Sequence, residues 1–92
     1  MRPIPKSVKV GVMELEIRFE PRLFNEQLFG RLVRTESVIE LLPDMTIEMQ
    51  WSQLLHEVGH EVMEQAGFEQ NETVANLFGY GMAAFIQDNL EK

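Results

Sequence analysis

The sequence predicts an α+β fold: a small, mainly antiparallel sheet of about three strands, followed by two helices. Three observations carry that prediction. Residues 8–19 alternate, with Val8, Val10, Val12, Leu15, Ile17 and Phe19 apolar and Lys9, Glu14, Glu16 and Arg18 between them, which is the period of a half-buried strand. A second alternating run spans 31–42 and is interrupted at Thr35-Glu36-Ser37, the pattern of a two-stranded hairpin. Beyond Pro43-Asp44 the period changes to three and four, and apolar residues recur at helical spacing to the end of the chain.

Taken in order, Met1 to Lys6 carry two prolines and two charges, so residues 1–6 are expected to form an extended, flexible tail. The alternation in 8–19 slips at Gly11-Val12-Met13, where a bulge or a turn is expected, and Glu20-Pro21 ends the strand. In 22–30, Leu23, Phe24, Leu28 and Phe29 suit one helical turn or a loop packed under the sheet. Asp44 or Thr46 offers the N-cap of a helix over about 45–65, whose core stripe is Ile47, Trp51, Leu54, Leu55, Val58 and Val62. Gly59 interrupts that helix at a cost of about 1 kcal/mol, which fits close approach of another backbone or of a substrate. Gly67 stands where a C-cap belongs. The last helix, about 70–89, is expected to bury Val74, Leu77, Phe78, Gly81, Met82 and Phe85.

Composition bounds the function. Ninety-two residues suit one domain over 1–92, with a core of modest size. An apolar content of 45% with six Phe, one Trp and one Tyr argues for a packed interior rather than disorder. With no cysteine there is neither a disulfide framework nor a thiolate metal site. A formal charge of −7 disfavours nucleic acid as a partner, and no apolar run has the length of a signal-peptide core or a membrane span. The expected setting is the cytoplasm, without membrane attachment.

The chemistry concentrates in Leu54-Leu55-His56-Glu57-Val58-Gly59-His60-Glu61. His56 and His60 are the only histidines, and residues four apart share a helix face, so both imidazoles reach one metal ion. Zinc takes neutral imidazole nitrogens at about 2.0–2.1 Å and, in catalytic sites, three protein ligands with a fourth position left to water. Glu57 flanks such an ion without needing to ligate it, and is placed to take a proton from that water. Glu61 and Glu64 read as ordinary solvated charges.

This is an HExxH motif, and Asn71-Glu72-Thr73-Val74-Ala75-Asn76 follows it. Together they resemble the two motifs of the gluzincin metallopeptidases, the thermolysin-like group, and the run from Glu72 to Phe78 is also similar to the ImmA/IrrE-type peptidases of phages and mobile elements. The resemblance covers about 45–90. It implies a minimal zincin-like fold with Glu72 as third zinc ligand and Asn76, where the family has Asp, as a hydrogen-bond partner of His56. It also implies hydrolysis of a peptide or protein substrate by a zinc-bound water, with Glu57 as general base. The spacing between the two motifs is much shorter than in thermolysin, and the Asp-to-Asn change makes the group beside His56 neutral.

With both histidines on zinc, the candidates for stabilising an oxyanion are Tyr80, Arg31 and Arg34; the commoner role for Tyr80 is as a partly buried helix-packing aromatic. An edge of the 31–42 hairpin is expected to align an extended substrate by strand addition. Two other readings stand beside the peptidase: a catalytically weak or inactive zinc-bearing module that binds a protein in the same cleft, and a metal-free interaction domain. Nothing in the pattern sets a substrate sequence or an oligomeric state.

Overall fold

The computed structural model describes residues 2–90. Strands β1 (Ser7–Val10), β2 (Met13–Phe19), β3 (Gly30–Val33) and β4 (Val38–Leu41) form one sheet in the order β1-β2-β4-β3. β1 pairs with β2 and β3 with β4 antiparallel, and β2 with β4 parallel. Helices α1 (Ile47–Ala66) and α2 (Glu72–Asn89) follow. The architecture is therefore α+β, with one strand more than the alternation suggests. The slip at Gly11-Val12 is a complete reversal: Gly11 takes a φ of 58° and splits the first apolar run into the β1–β2 hairpin. Gln65 of α1 braces that turn by donating to the Val10 carbonyl at 2.7 Å.

Alternation sends Val10, Leu15, Ile17, Ile39 and Leu41 to one face of the sheet, where Leu54 of α1 closes the core. Leu15, Ile39 and Leu41 have no exposed surface and Leu54 almost none, and each such side chain contributes about 1.5–3 kcal/mol relative to an exposed one. The parallel β2–β4 pair requires a crossover, built from a 3-10 turn at Pro21–Glu26, β3 and a second 3-10 turn at Arg34–Glu36. Glu20 caps the first of these turns, and Leu23 is buried beneath it. The crossover leaves β3 at the edge of the sheet, beside α1.

Residues 2–6 are extended but held. The Trp51 indole donates to the Arg2 carbonyl at 2.6 Å, Ile17 N donates to the Lys6 carbonyl at 2.8 Å, and Ile4 packs on the core. These contacts replace the flexible tail expected from the prolines; Met1 lies outside the described residues.

The helices begin and end where capping chemistry allows. Thr46 accepts from Met49 N at 3.2 Å and Gly67 closes α1 with a φ of 75°. Asn71 accepts from Val74 N at 3.1 Å, so α2 starts at Glu72 rather than at 70. α2 packs mainly on α1 rather than on the sheet, and this overturns the expected burial pattern. Its buried residues are Ala75, Gly79 and Ala83. Val74, Leu77 and Phe85 are 50%, 69% and 54% exposed, Met82 lies partly open, and Gly81 is exposed. A helix with a single neighbour buries one narrow stripe, and close approach selected the small residues for it.

Glu61 is also corrected. It has no exposed surface and accepts from Arg34 Nε at 2.7 Å, Arg34 Nη2 at 3.1 Å and Gln65 Nε2 at 2.7 Å. Val62, expected in the core, is instead 47% exposed. At this point the α1 face turned toward the sheet meets Arg34, the first residue of the 3-10 turn after β3, and a carboxylate answers that cation better than an aliphatic side chain. Glu64 does stay partly exposed, 3.6 Å from Arg34 Nη1.

Candidate metal centre

One turn of α1 carries His56, Glu57 and His60. His56 and Glu57 are buried and His60 half-buried, and the two imidazoles meet edge to face with their Nε2 atoms 3.2 Å apart. Glu72, the first residue of α2, brings its carboxylate to 2.7 Å from His60 Nε2 and 3.3 Å from His56 Nε2. Two glycines allow that approach. A Cβ at Gly79 would lie 2.7 Å from the Ser52 carbonyl and 3.2 Å from His56 Cα, so α2 presses on the backbone of the first histidine. A Cβ at Gly59 would lie 3.2 Å from the Phe78 ring and 3.7 Å from Ala75 Cα, so the close approach inferred for Gly59 is that of α2.

Gln70, which sequence reasoning passed over, defines the protonation of His60. Its amide nitrogen donates to the His60 carbonyl at 3.1 Å and to Glu64 at 3.4 Å, which leaves its oxygen 2.7 Å from His60 Nδ1. Nδ1 therefore donates to that oxygen, and Nε2 is the ring nitrogen turned to the cleft. It faces the Glu72 carboxylate and the His56 Nε2 at once. Three side chains of metal-ligating type thus converge on one point. With bonds of about 2.0–2.1 Å and tetrahedral angles, zinc ligands stand about 3.3–3.4 Å apart; two of the three separations lie within 0.2 Å of that range. The third, 2.7 Å, is a hydrogen-bond distance; two imidazoles and a carboxylate are a donor set of the kind that holds a divalent metal ion.

Two carboxylates flank the histidines at different distances. Glu57 comes no closer to His56 Nε2 than 3.9 Å, whereas Glu72 reaches both Nε2 atoms. Glu72 is thus the nearer carboxylate, while Glu57 with the two histidines also brings three ligand atoms within 4.8 Å of one another. Burial pushes the Glu57 carboxyl above its ordinary value, opposed by the charge of His56 and by the hydrogen bond from Gln53. Gln53 donates to Glu57 Oε2 at 2.7 Å from one turn earlier on α1, holding the carboxylate in place.

Asn76 lines the cleft beside His56, but the hydrogen bond expected between them does not form among the described residues. It stands on the same α2 face as Glu72 with a side chain one methylene shorter, and stops at the cleft wall. Tyr80 is 72% exposed, so it is not the partly buried packing aromatic that its place on α2 suggested. It lines a cavity of about 510 Å³ that His56 also lines, with Phe29, Met45, Met49 and Ala83. Arg31 and Arg34 are both taken. Arg31 binds Glu40 at 2.7 Å and Glu26 at 3.3 Å, and Arg34 binds Glu61 and Glu64, so neither offers an uncommitted guanidinium to a developing oxyanion.

A second cleft, of about 630 Å³, runs between β3 and the histidines and is lined by Gly30, Leu32, Arg34, His56, His60 and Glu72 among others. No protein-family model matches the chain, and neither a curated protein nor a solved structure matches it. Among the described residues no helix is long and apolar enough to cross a membrane. What this chain can do is therefore argued from its own side chains.

Proposed function

We propose that this protein is a zinc-dependent metallopeptidase of minimal gluzincin type, acting on an extended peptide or protein segment in the cytoplasm. The observation that carries the reading is the Glu72 carboxylate set against the Nε2 atoms of both His56 and His60. When bound there, zinc supplies a Lewis acid and makes a coordinated water more acidic. Glu57, its carboxyl raised above the ordinary value by burial and oriented by Gln53, accepts a proton from the attacking water and returns it to the leaving nitrogen. β3 has an unpaired edge and borders the cleft, so a substrate added to it as a further strand would lie across the histidines. The absence of cysteines suits a reducing compartment.

A second reading is favoured by one observation: both cleft arginines are neutralised by carboxylates, leaving Tyr80 as the only oxyanion donor among the sequence candidates. On that reading the protein is a zinc-bearing module that holds a partner with little or no turnover. One experiment separates the two. Zinc-loaded protein and its Glu57→Gln variant are compared on a peptide library. Loss of a positioned general base costs about 10²–10⁴-fold, so the peptidase reading expects cleavage that falls by that factor while zinc content is unchanged. No cleavage by the wild type, with the same partner retained by both proteins, would establish the binding module instead.

A further inference from the structure

We propose that α2 is the interface of a homodimer, in which two copies pair antiparallel about a two-fold axis at Gly81. This rests on the outer face of α2 and stands whether or not the cleft holds a metal. At 100° per residue, Val74, Leu77, Gly81 and Phe85 lie on the side of α2 opposite Ala75, Gly79 and Ala83, the residues that pack on α1. The outward residues form an exposed apolar stripe with no charged residue between Glu72 and Asp88. In a chain of net charge −7, that is the surface where two copies approach with least repulsion.

Gly81 points to a second helix. A Cβ there would meet nothing within 4 Å, in contrast to Gly79 and Gly59. Glycine in a helix interior costs stability, and nothing among the described residues requires it at 81. A smooth point in an apolar stripe lets another helix come close.

The register about Gly81 closes on itself. Leu77 lies four residues before it and Phe85 four after, so an antiparallel pairing sets Leu77 of each copy against Phe85 of the other, and Val74 against Asp88. The same patch serves both copies, as a two-fold interface requires. Val74, Leu77, Phe78 and Gly81 stand at i, i+3, i+4 and i+7, the four corners of a hole for one incoming knob. On the Val74–Phe78 flank of that hole an apolar cavity of about 110 Å³ opens between α1 and α2, lined by Gly59, Val62, Met63 and Ala75 as well, and the partner's Phe85 is the knob.

The area is sufficient. An aromatic side chain covers about 150–250 Å², so Phe85 at 54% exposure offers about 100 Å², and with Leu77 and Val74 of the stripe and the neighbouring Val62 of α1 the apolar surface comes to roughly 400 Å². A standard interface has about 800 Å² per partner, of which a little over half is apolar. Glu72 and Asn76 lie on a different face of α2, so pairing leaves the cleft open.

The test is the solution mass and a register-specific crosslink. At about 100 μM chain, above the weak end of affinities for interfaces of this size, the wild type is expected at twice the chain mass of 10.7 kDa. Leu77→Glu with Phe85→Glu is expected to be monomeric with an unchanged far-ultraviolet spectrum, since both side chains are exposed. The chain has no cysteine, so Gly81→Cys, on the axis, should oxidise to a covalent dimer. Val74→Cys should not, because the two copies of position 74 lie about 21 Å apart along the helices, far beyond disulfide reach. A monomeric wild type, a dimer that survives the double glutamate, or crosslinking through Val74→Cys as readily as through Gly81→Cys would each overturn the proposal.

Discussion

Arg34→Ala tests whether the sheet is fastened to the metal-bearing helix through the Glu61 carboxylate. In the wild type that carboxylate has no exposed surface and accepts three hydrogen bonds, two of them from Arg34. Removing one partner of a deeply buried pair costs about 3–5 kcal/mol, because the remaining charge stays buried. Glu61 is a shallower case: Arg34 itself covers it and is 43% exposed, so its removal admits water to the carboxylate. The two lost charge-assisted bonds, discounted for that hydration, suggest a loss of about 2 kcal/mol. For a domain of this size each kcal/mol corresponds to about 4–8 °C in Tm, so the variant should melt about 8–16 °C lower. Thermal and urea unfolding of metal-free protein measure this without interference from zinc. Glu61→Gln, which keeps one carbonyl acceptor for Arg34, should lose less. An Arg34→Ala variant within about 0.5 kcal/mol of wild type, the range of an ordinary surface change, would refute the reasoning.

Other consequences follow from the same contacts. Glu72→Ala should abolish tight zinc binding, whereas Glu64→Ala should leave it nearly unchanged; Gln70→Ala, which frees the His60 ring, should weaken it by about 10- to 100-fold, all read by competition with a chelating dye. Gly79→Ala puts a methyl group against the Ser52 carbonyl and the His56 backbone, an overpacking worth about 1–3 kcal/mol, and should weaken zinc binding as α2 moves Glu72 away; equal affinity in that variant would show that the α1–α2 spacing does not set the site. Glu20 is held at about 2, below its ordinary value of 4.5, first by the Arg22 side chain and then by the Arg22 backbone N–H. A depressed carboxyl adds stability above pH 4.5 that is lost as pH falls through about 2. Carbon-detected titration of Glu20 should return toward the ordinary value in Arg22→Ala, and a midpoint unchanged by that substitution would contradict the assignment.

The alternation of residues 8–19 and 31–42 and the helical period beyond Pro43 were enough for the fold class and the two helices, because both periods follow from which side of the backbone meets the core. Where Gly11 needed to be distinguished as a turn rather than a bulge, the local pattern was the same for both, and only the pairing of Val10 with Met13 decides. The apolar side chains of α2 misled because hydrophobicity marks a face that suits burial, not the neighbour that buries it. The real neighbour, α1, selected Ala75, Gly79 and Ala83 instead. For the candidate site, the four-residue spacing of His56 and His60 was legible, and so was the place of Glu57. The meeting of Glu72 with them came from the resemblance and agrees with the geometry. Gln53, Gln70 and Glu61 were not legible, since a polar side chain on a helix looks alike whether it faces water or a buried partner; their roles arise from residues four to 27 positions away.

The central claim is that His56, His60 and Glu72 form one zinc site with Glu57 outside it. Anomalous diffraction at the zinc edge from crystals of the zinc-loaded protein tests this directly. The account predicts one strong peak per chain, about 2.0–2.2 Å from both Nε2 atoms and from a Glu72 oxygen, with the Glu57 carboxylate beyond bonding distance. A zinc ion ligated by Glu57 with Glu72 turned away, or no peak at the histidines at all, would contradict it.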